Sequence, residues 1–411
     1  MTHGTAVSVF VIFLVAVVAP GCAELVRRFR IPSVLFELVL GIIIGPQVLG
    51  WAHVDTFVDG LRTLGLCFLF FTAGYEIELA RLGGPALRRA GVGWLVTLVL
   101  ALGVGGVLMV TGYVISGLLV GLCMTTTAIG TLLPMLRDRG LLGDPFGRIL
   151  VAAGTVGEFA PVLAVTVLLG ASSPGVETVL LVAFVGIAAA VAVVASRPQP
   201  PAVVALVQRH LGTTTQTPVR IVLLLVSSLV VVATALNQED LIGAFAAGLI
   251  VQLAFTDDQA AAMKPRLEAI GFGFLIPIFF VVSGMNFDVR ALVSDPSVLV
   301  RSAVFLLLLL AVRGLPALAV YVGVLDLRRR FSLAFLQAAA LPLIVVITGI
   351  GVAAHKMRLV NATALVAAGM VSVLVFPLVG FALAGRSGSS DDGWSAVAAG
   401  EPADDPTRDL L

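Results

Sequence analysis

Read by hydropathy, the chain alternates between long apolar runs and short polar breaks. The runs fall at roughly 5–26, 33–50, 61–79, 91–112, 114–136, 146–170, 174–195, 218–236, 239–255, 268–288, 298–323, 331–353 and 359–385. A helix needs about 20 apolar residues to cross the hydrocarbon core. The period-two alternation of a membrane β-strand is absent from these runs. The pattern predicts an all-α polytopic membrane protein of about thirteen transmembrane helices. Turn-like joints at 111–113 and 237–239 make the helices on either side antiparallel neighbours.

Composition agrees. The 411 residues are 59% hydrophobic and 12% charged, with a mean hydropathy of +1.10; about 25% charged residues is usual in a soluble domain. A net charge of +1 gives no reason to expect nucleic acid as a partner. Cys22, Cys67 and Cys123 lie in separate apolar runs, which suits small buried side chains better than a disulfide framework or a metal cluster. The first run has no basic residue before it and Arg27, Arg28 and Arg30 after it, the reverse of a cleaved signal peptide. An uncleaved first span with its N-terminus outside is therefore expected. With thirteen spans, 19 of the 25 basic residues fall on the side that includes the C-terminal tail, and five fall on the other. The excess places that side in the cytoplasm, as expected of a multi-pass plasma-membrane protein.

Two short matches recur at nearly one offset. Phe70–Glu78 (FFTAGYEIE) resembles Phe280–Asp288 (FVVSGMNFD), with Gly74 and Gly284 210 residues apart, and Leu40–Ile43 resembles Ala247–Ile250 at an offset of 207. Because the matched spans differ in parity, they face opposite ways. Two inverted-topology six-helix repeats joined by a linker helix are predicted, an architecture common among secondary transporters. The stretch Ser196–Pro218 reads as the longest internal loop, with a surface helix at Ala202–His210. The polar residues 386–411 read as a disordered cytoplasmic tail too short for a folded regulatory domain.

Against this apolar background, few groups carry chemistry. Glu158 lies inside the sixth run, flanked by Gly154, Gly157 and Pro161. A carboxylate at the bilayer centre costs roughly 2.5–3.5 kcal/mol on insertion scales, so such groups are rare and usually functional. Pro161 deprives the Gly157 carbonyl, one turn earlier, of its helical donor. Glu158 can alternate between holding a proton and transiently holding a monovalent cation. Arg313, mid-run and close to Pro316, must be paired or hydrogen-bonded at that depth. Because arginine does not release its proton, Arg313 would be a fixed countercharge, with Glu158 its expected partner.

Thr125, Thr126 and Thr127 in the fifth run, and Pro342, Thr348, Gly349 and Gly351 in the twelfth, mark discontinuous crossover helices. Freed carbonyls and hydroxyls there could ligate a small cation, although Thr often serves only to pack helices. Glu37, Glu76 and Glu78 sit at the cytoplasmic ends of the second and third runs and could line an entrance funnel, or simply be solvated there. Gly41–Gly45 reads as a close-packing face. The sequence contains no Walker motif, Cys/His metal set or Ser/His/Asp arrangement, so neither an enzyme nor a bound cofactor is expected.

These residues carry a family resemblance. Ile31-Pro32, Gly41–Pro46 (GIIIGP), Leu64-Gly65 and Phe70–Glu78 resemble the first spans of the monovalent cation:proton antiporter-2 family, which has a sodium/proton exchanger-like membrane domain. Thr125–Ala128, the acidic site in the sixth run, and Pro277–Phe280 with Ser283-Gly284 extend the likeness, which covers about residues 11–385. The resemblance implies a dimerisation panel (about 5–80 and 218–288), a six-helix core (about 91–170 and 298–385) and a linker helix at 174–195. Glu158 takes the position of the ion- and proton-binding carboxylate, and Arg313 the place where many relatives have lysine. Many electrogenic relatives carry two adjacent carboxylates, whereas here Gly157 precedes Glu158.

The sequence is thus read as a homodimeric secondary antiporter in the lipid bilayer, exchanging Na⁺ or K⁺ for H⁺ by alternating access. The alternatives are a channel-like potassium efflux subunit gated by a separate cytoplasmic regulatory subunit, and a sodium-coupled organic-anion symporter on a related fold.

Overall fold

The computed structural model describes residues 2–26, 32–76, 85–169, 174–195, 215–236, 240–255 and 257–384. The tail, the surface helix at 202–210, the joint at 237–239 and Glu78 lie outside the described residues. The regular elements among the described residues are helices. In chain order the helices are α1 (His3–Leu25), α2 (Ser33–Ile44), α3 (Thr56–Tyr75), α4 (Pro85–Val110), α5 (Gly117–Met124), α6 (Ile129–Asp138), α7 (Pro145–Leu169) and α8 (Pro174–Ala195). There follow α9 (Thr217–Ala235), α10 (Asp240–Ala254), α11 (Asp257–Ile270), α12 (Ile276–Met285), α13 (Val289–Ser294), α14 (Pro296–Val320), α15 (Leu327–Ala338), α16 (Pro342–Ala353) and α17 (Leu359–Ala384). A single π turn, Gly271–Leu275, joins α11 to α12.

Among the described residues, eight helices are long and apolar enough to cross a membrane, or nine if α15 and α16, bent by 41°, form one span. Four more apolar helices are shorter. Each apolar run of the sequence contains at least one of these helices. Large apolar side chains such as Val99, Val110 and Leu224 point outward at 73%, 84% and 67% exposure, as a lipid-facing surface requires.

The helices pack in two groups. In one, α1–α3 and α9–α12 associate; in the other, α4–α7 and α14–α17; α8 touches both. Glycines set the tightest contacts of the first group. A Cβ on Gly41 would lie 2.2 Å from the Val281 carbonyl oxygen, and one on Gly284 2.1 Å from that of Leu38, so α2 and α12 touch backbone to backbone. Gly74 and Gly248 do the same for α3 and α10, at 2.3 Å from Phe245 O and 2.1 Å from Phe71 O. Small residues permit such approach and the dispersion contacts that hold membrane helices together.

In the second group, two helices break where they cross. After α5, the hydroxyls of Thr125 and Thr126 turn back onto the carbonyls of Leu122 and Cys123, at 2.8 and 2.9 Å, and close the helix end. After α15, Ala339 is extended and Pro342 starts α16, a first-turn position where proline's missing N–H removes no helical bond. Backbone freed at this depth needs protein partners. Ala128 N–H donates to Ala339 O at 2.8 Å. Ser372 Oγ accepts from Ala340 N–H at 3.1 Å and donates to Gly369 O at 2.7 Å.

Candidate functional site

Glu158 lies beside this crossing, on α7, with 8% of its surface exposed. Proline at 161 does not end α7; the helix runs on to Leu169. The Gly157 carbonyl freed by that proline accepts Thr127 N–H at 2.9 Å. The lone acceptor of one helix thus meets a lone donor from the break in another, tying the α5–α6 joint to the turn that carries Glu158. The Glu158 carboxylate faces the backbone N–H groups of Ile129 and Gly130, at the start of α6. Among the described residues its Oε2 is buried without a hydrogen-bond partner.

Arg313, on α14, is 2% exposed. Its Nε donates to Thr127 Oγ1 at 3.0 Å, Nη2 to Ala153 O at 3.2 Å, and Nη1 reaches Thr97 Oγ1 at 3.5 Å. Among the described residues no ion pair within 4.0 Å joins Arg313 to Glu158. The contact expected from the sequence is replaced by a cage of hydroxyl and carbonyl oxygens one residue away. Gly157 makes the cage possible. A Cβ there would lie 1.9 Å from Arg313 Nη2 and 2.6 Å from Thr127 Oγ1, so the guanidinium fills the space that a side chain at 157 would take.

Thr127 is the hub. Its N–H serves Gly157 O, its hydroxyl donates to Gln337 O at 2.7 Å, and its oxygen accepts from Arg313. Thr125, Thr126 and Thr348 also donate their hydroxyl hydrogens to carbonyls of their own helices. Only oxygen lone pairs remain on these residues for a cation. Thr126 and Thr127 line a small void against Glu158, whereas Thr348 lines a separate cavity.

Two cavities of unequal size approach this layer from opposite ends of α3. The larger, about 1070 Å³, reaches Glu158 past Glu24, Glu76, Thr131 and Phe280. The smaller, about 560 Å³, is lined by Arg62, Cys67, Asp240, Ser283, Asp288 and Thr348, and stops short of Glu158. Leu69, Phe70 and Leu343 pack around the small void beside Glu158. Glu158 is therefore open to one side and sealed from the other. Of the funnel candidates, Glu76 lines the large cavity. Glu37 does not: it is 4% exposed within α2, with Oε2 lacking a partner.

Several contributors were not singled out from the sequence. Thr97 is visible there as a hydroxyl within an apolar run, and Glu24 as an acid at the end of the first run. Phe159, which stacks on Phe245 with ring centroids 3.9 Å apart and bridges the two helix groups, has no such signal.

Comparison with known proteins gives the same picture of the chain. It is 25% identical to the putative Na⁺/H⁺ antiporter YjbQ of Bacillus subtilis (strain 168) over 92% of its own length, and spans 63% of that protein. It is 27% identical to the Na⁺/H⁺-K⁺ antiporter GerN of Bacillus cereus, over 67% of this chain and 71% of that one. Its fold matches the sodium proton antiporter MjNhaP1 from Methanocaldococcus jannaschii with a TM-score of 0.64 at 15% identity, covering 92% of this chain and 99% of the other. The profile described as "Sodium/hydrogen exchanger, transmembrane" aligns to residues 12–384, which take in both helix groups, the crossing and Glu158. This polytopic helical chain belongs to the sodium/hydrogen exchanger transmembrane family.

Proposed function

We propose that the protein is a secondary antiporter that exchanges a monovalent cation, Na⁺ or K⁺, for protons by alternating access, with both ions competing for Glu158. One observation carries this reading: a buried carboxylate with an unpartnered oxygen, reached by a large cavity from one side and sealed from the other. Relatives named as Na⁺/H⁺ antiporters support it and do not favour the channel-like or organic-anion alternatives.

The first helix group is read as the panel and the second as the moving core, with α8 as linker. Reciprocal glycine packing supports the inverted repeat: Gly41 and Gly284 join α2 to α12, and the glycines equivalent to them by offsets of 207 and 210, Gly248 and Gly74, join α10 to α3. The excess of basic residues supports a cytoplasmic opening for the large cavity in a multi-pass membrane protein. Arg313 is read as a permanent charge that sets the field around Glu158 without titrating. With one titrating carboxylate and a guanidinium where a second side chain would sit, exchange should be one-for-one and electroneutral. A transport current in proteoliposomes would refute that stoichiometry.

The central test is Glu158→Gln in everted vesicles with a pH-sensitive dye. Loss of cation-induced proton movement is expected. Wild-type exchange by this variant would overturn the reading.

A further inference from the structure

Glu158 belongs to one helix group, while Leu69, Thr72 and Ala73 on α3 and Ile276 and Phe280 on α12, from the other, wall its large cavity. How α7 rests on the first group therefore decides which way the carboxylate faces. One residue on from Glu158, Phe159 is 9% exposed and lays its ring on that of Phe245 in α10, with centroids 3.9 Å and planes 24° apart. Both rings are supported from behind. A Cβ on Gly74 would stand 2.9 Å from Phe245 Cδ2, so α3 backs directly onto that ring. Phe159 clusters with Ala90, Ala152 and Ala153, and the Ala153 carbonyl accepts from Arg313 Nη2. Ala73 packs on the same cluster and also lines the void beside Glu158.

This contact differs in kind from those inside the second group. There, hydrogen bonds join one helix to the next, such as Thr127 N–H to Gly157 O at 2.9 Å and Ala128 N–H to Ala339 O at 2.8 Å. Breaking them in lipid would leave polar groups unpaired. The Phe159–Phe245 stack holds by apolar area and ring quadrupoles alone, and the alanines around it are too short to interlock. It can slide or part without orphaning a donor or an acceptor, as shear between packed helices requires.

We propose that Phe159 and Phe245 are positioning residues for the exchange. Their stack is a sliding contact that holds α7, and with it Glu158, in the position facing the large cavity, and it is released when the core turns to the other side. This rests on the reading of Glu158 as the exchanging group and of the two helix groups as core and panel. Because the stack belongs to one of the two exposures, weakening it shifts the balance between them. A cation binding from one side sees only the fraction of protein open to that side, so the ratio of apparent affinities on the two sides follows that balance.

The test compares Phe159→Leu, Phe245→Leu, the double variant and Glu158→Gln in everted and right-side-out vesicles, with Na⁺ or K⁺ titrated from the outside of each. Leucine keeps an apolar side chain at each position but removes the ring. In each single phenylalanine variant, the ratio of the apparent KM on the large-cavity side to that on the other should rise about two- to tenfold, the factor that an aromatic pair supplies beyond its buried area. The double variant should match the single ones, since either change already removes the stack. A mere loss of folded protein lowers the maximal rate on both sides alike and leaves the ratio unchanged. Phe245→Leu, which lies in the panel and leaves α7 untouched, separates the stack from any direct effect on the site. A wild-type ratio in folded Phe245→Leu would overturn the proposal. So would a double variant whose ratio rises by the product of the two single effects. If Glu158→Gln abolishes exchange while Phe245→Leu keeps the wild-type ratio, only this proposal falls; if Glu158→Gln exchanges normally, the reading of the site falls with it.

Discussion

Replacing Gly157 by alanine tests the cage around Arg313 most directly. The added methyl would sit 1.9 Å from Arg313 Nη2 and 3.0 Å from its Cζ, against an ordinary separation of about 3.5–4.0 Å. A long side chain usually swings aside cheaply. Here it is 2% exposed and held by Thr127, Ala153 and Thr97, so a shift of about 1.5 Å breaks bonds that it cannot remake in lipid. Hydrogen bonds to a charged group contribute about 1.5–3 kcal/mol each, and an uncompensated buried charge costs about 3–5 kcal/mol. A loss of roughly 3–5 kcal/mol is a large share of the ~5–15 kcal/mol that holds a domain together. Gly157→Ala should therefore lower the thermal midpoint of the detergent-solubilised protein by roughly 5–10 °C and slow exchange in everted vesicles at least about tenfold. Gly103→Ala, in α4 with open space around it, is the control and should be neutral or slightly stabilising, as alanine favours helix over glycine by about 1 kcal/mol. In an Arg313→Ala background the cost of Gly157→Ala should largely vanish, a coupling of about 2–3 kcal/mol in a double-mutant cycle. Wild-type midpoint and rate for Gly157→Ala, or an equal cost in both backgrounds, would refute the reasoning.

Three further outcomes are expected. Thr127→Val removes the acceptor of Arg313 Nε and the donor to Gln337 O while keeping the side-chain shape, so it should cost about 2–3 kcal/mol and most of the exchange, whereas Thr127→Ser should keep both; identical thermal melts for the two variants would argue against the hub. Gly284→Ala sets a methyl 2.1 Å from Leu38 O and 3.0 Å from Ile42 N, backbone atoms that cannot swing away, so size-exclusion profiles should show loss of folded protein by at least the ~1–3 kcal/mol of an overpacked core. Asp55 caps α3, and the Thr5 hydroxyl and then the Val58 N–H hold its carboxyl below the usual carboxylate range. A depressed folded-state value means that this stabilisation is full above the unfolded carboxylate range and fades as pH falls through the folded value; Asp55→Ala should lower the thermal midpoint at neutral pH and flatten its acid dependence, measured by melts between pH 3 and pH 7.

Hydropathy alone was enough for the helical membrane character, because twenty consecutive apolar residues have few other places to go. The rarity of charge at depth was enough to single out Glu158 and Arg313. Proline chemistry even announced a lone carbonyl at Gly157. Which donor would fill it was not legible: Thr127 is 30 residues away in sequence and meets it only because two broken helices cross there. The same holds for the guanidinium. Two opposite charges in apolar runs suggest a pair, yet the tertiary structure gave Arg313 its own oxygens from α4, the α5–α6 joint and α7, and used the missing side chain of Gly157 to seat it. Glu37 and Glu76 read alike as interfacial acids; packing buried the first in α2 and opened the second onto the cavity. Sequence reports the cost of burying a group. Which partner offsets that cost depends on contacts between residues far apart in the chain, such as Thr127 with Gln337, 210 positions away, and those exist only once the chain has packed.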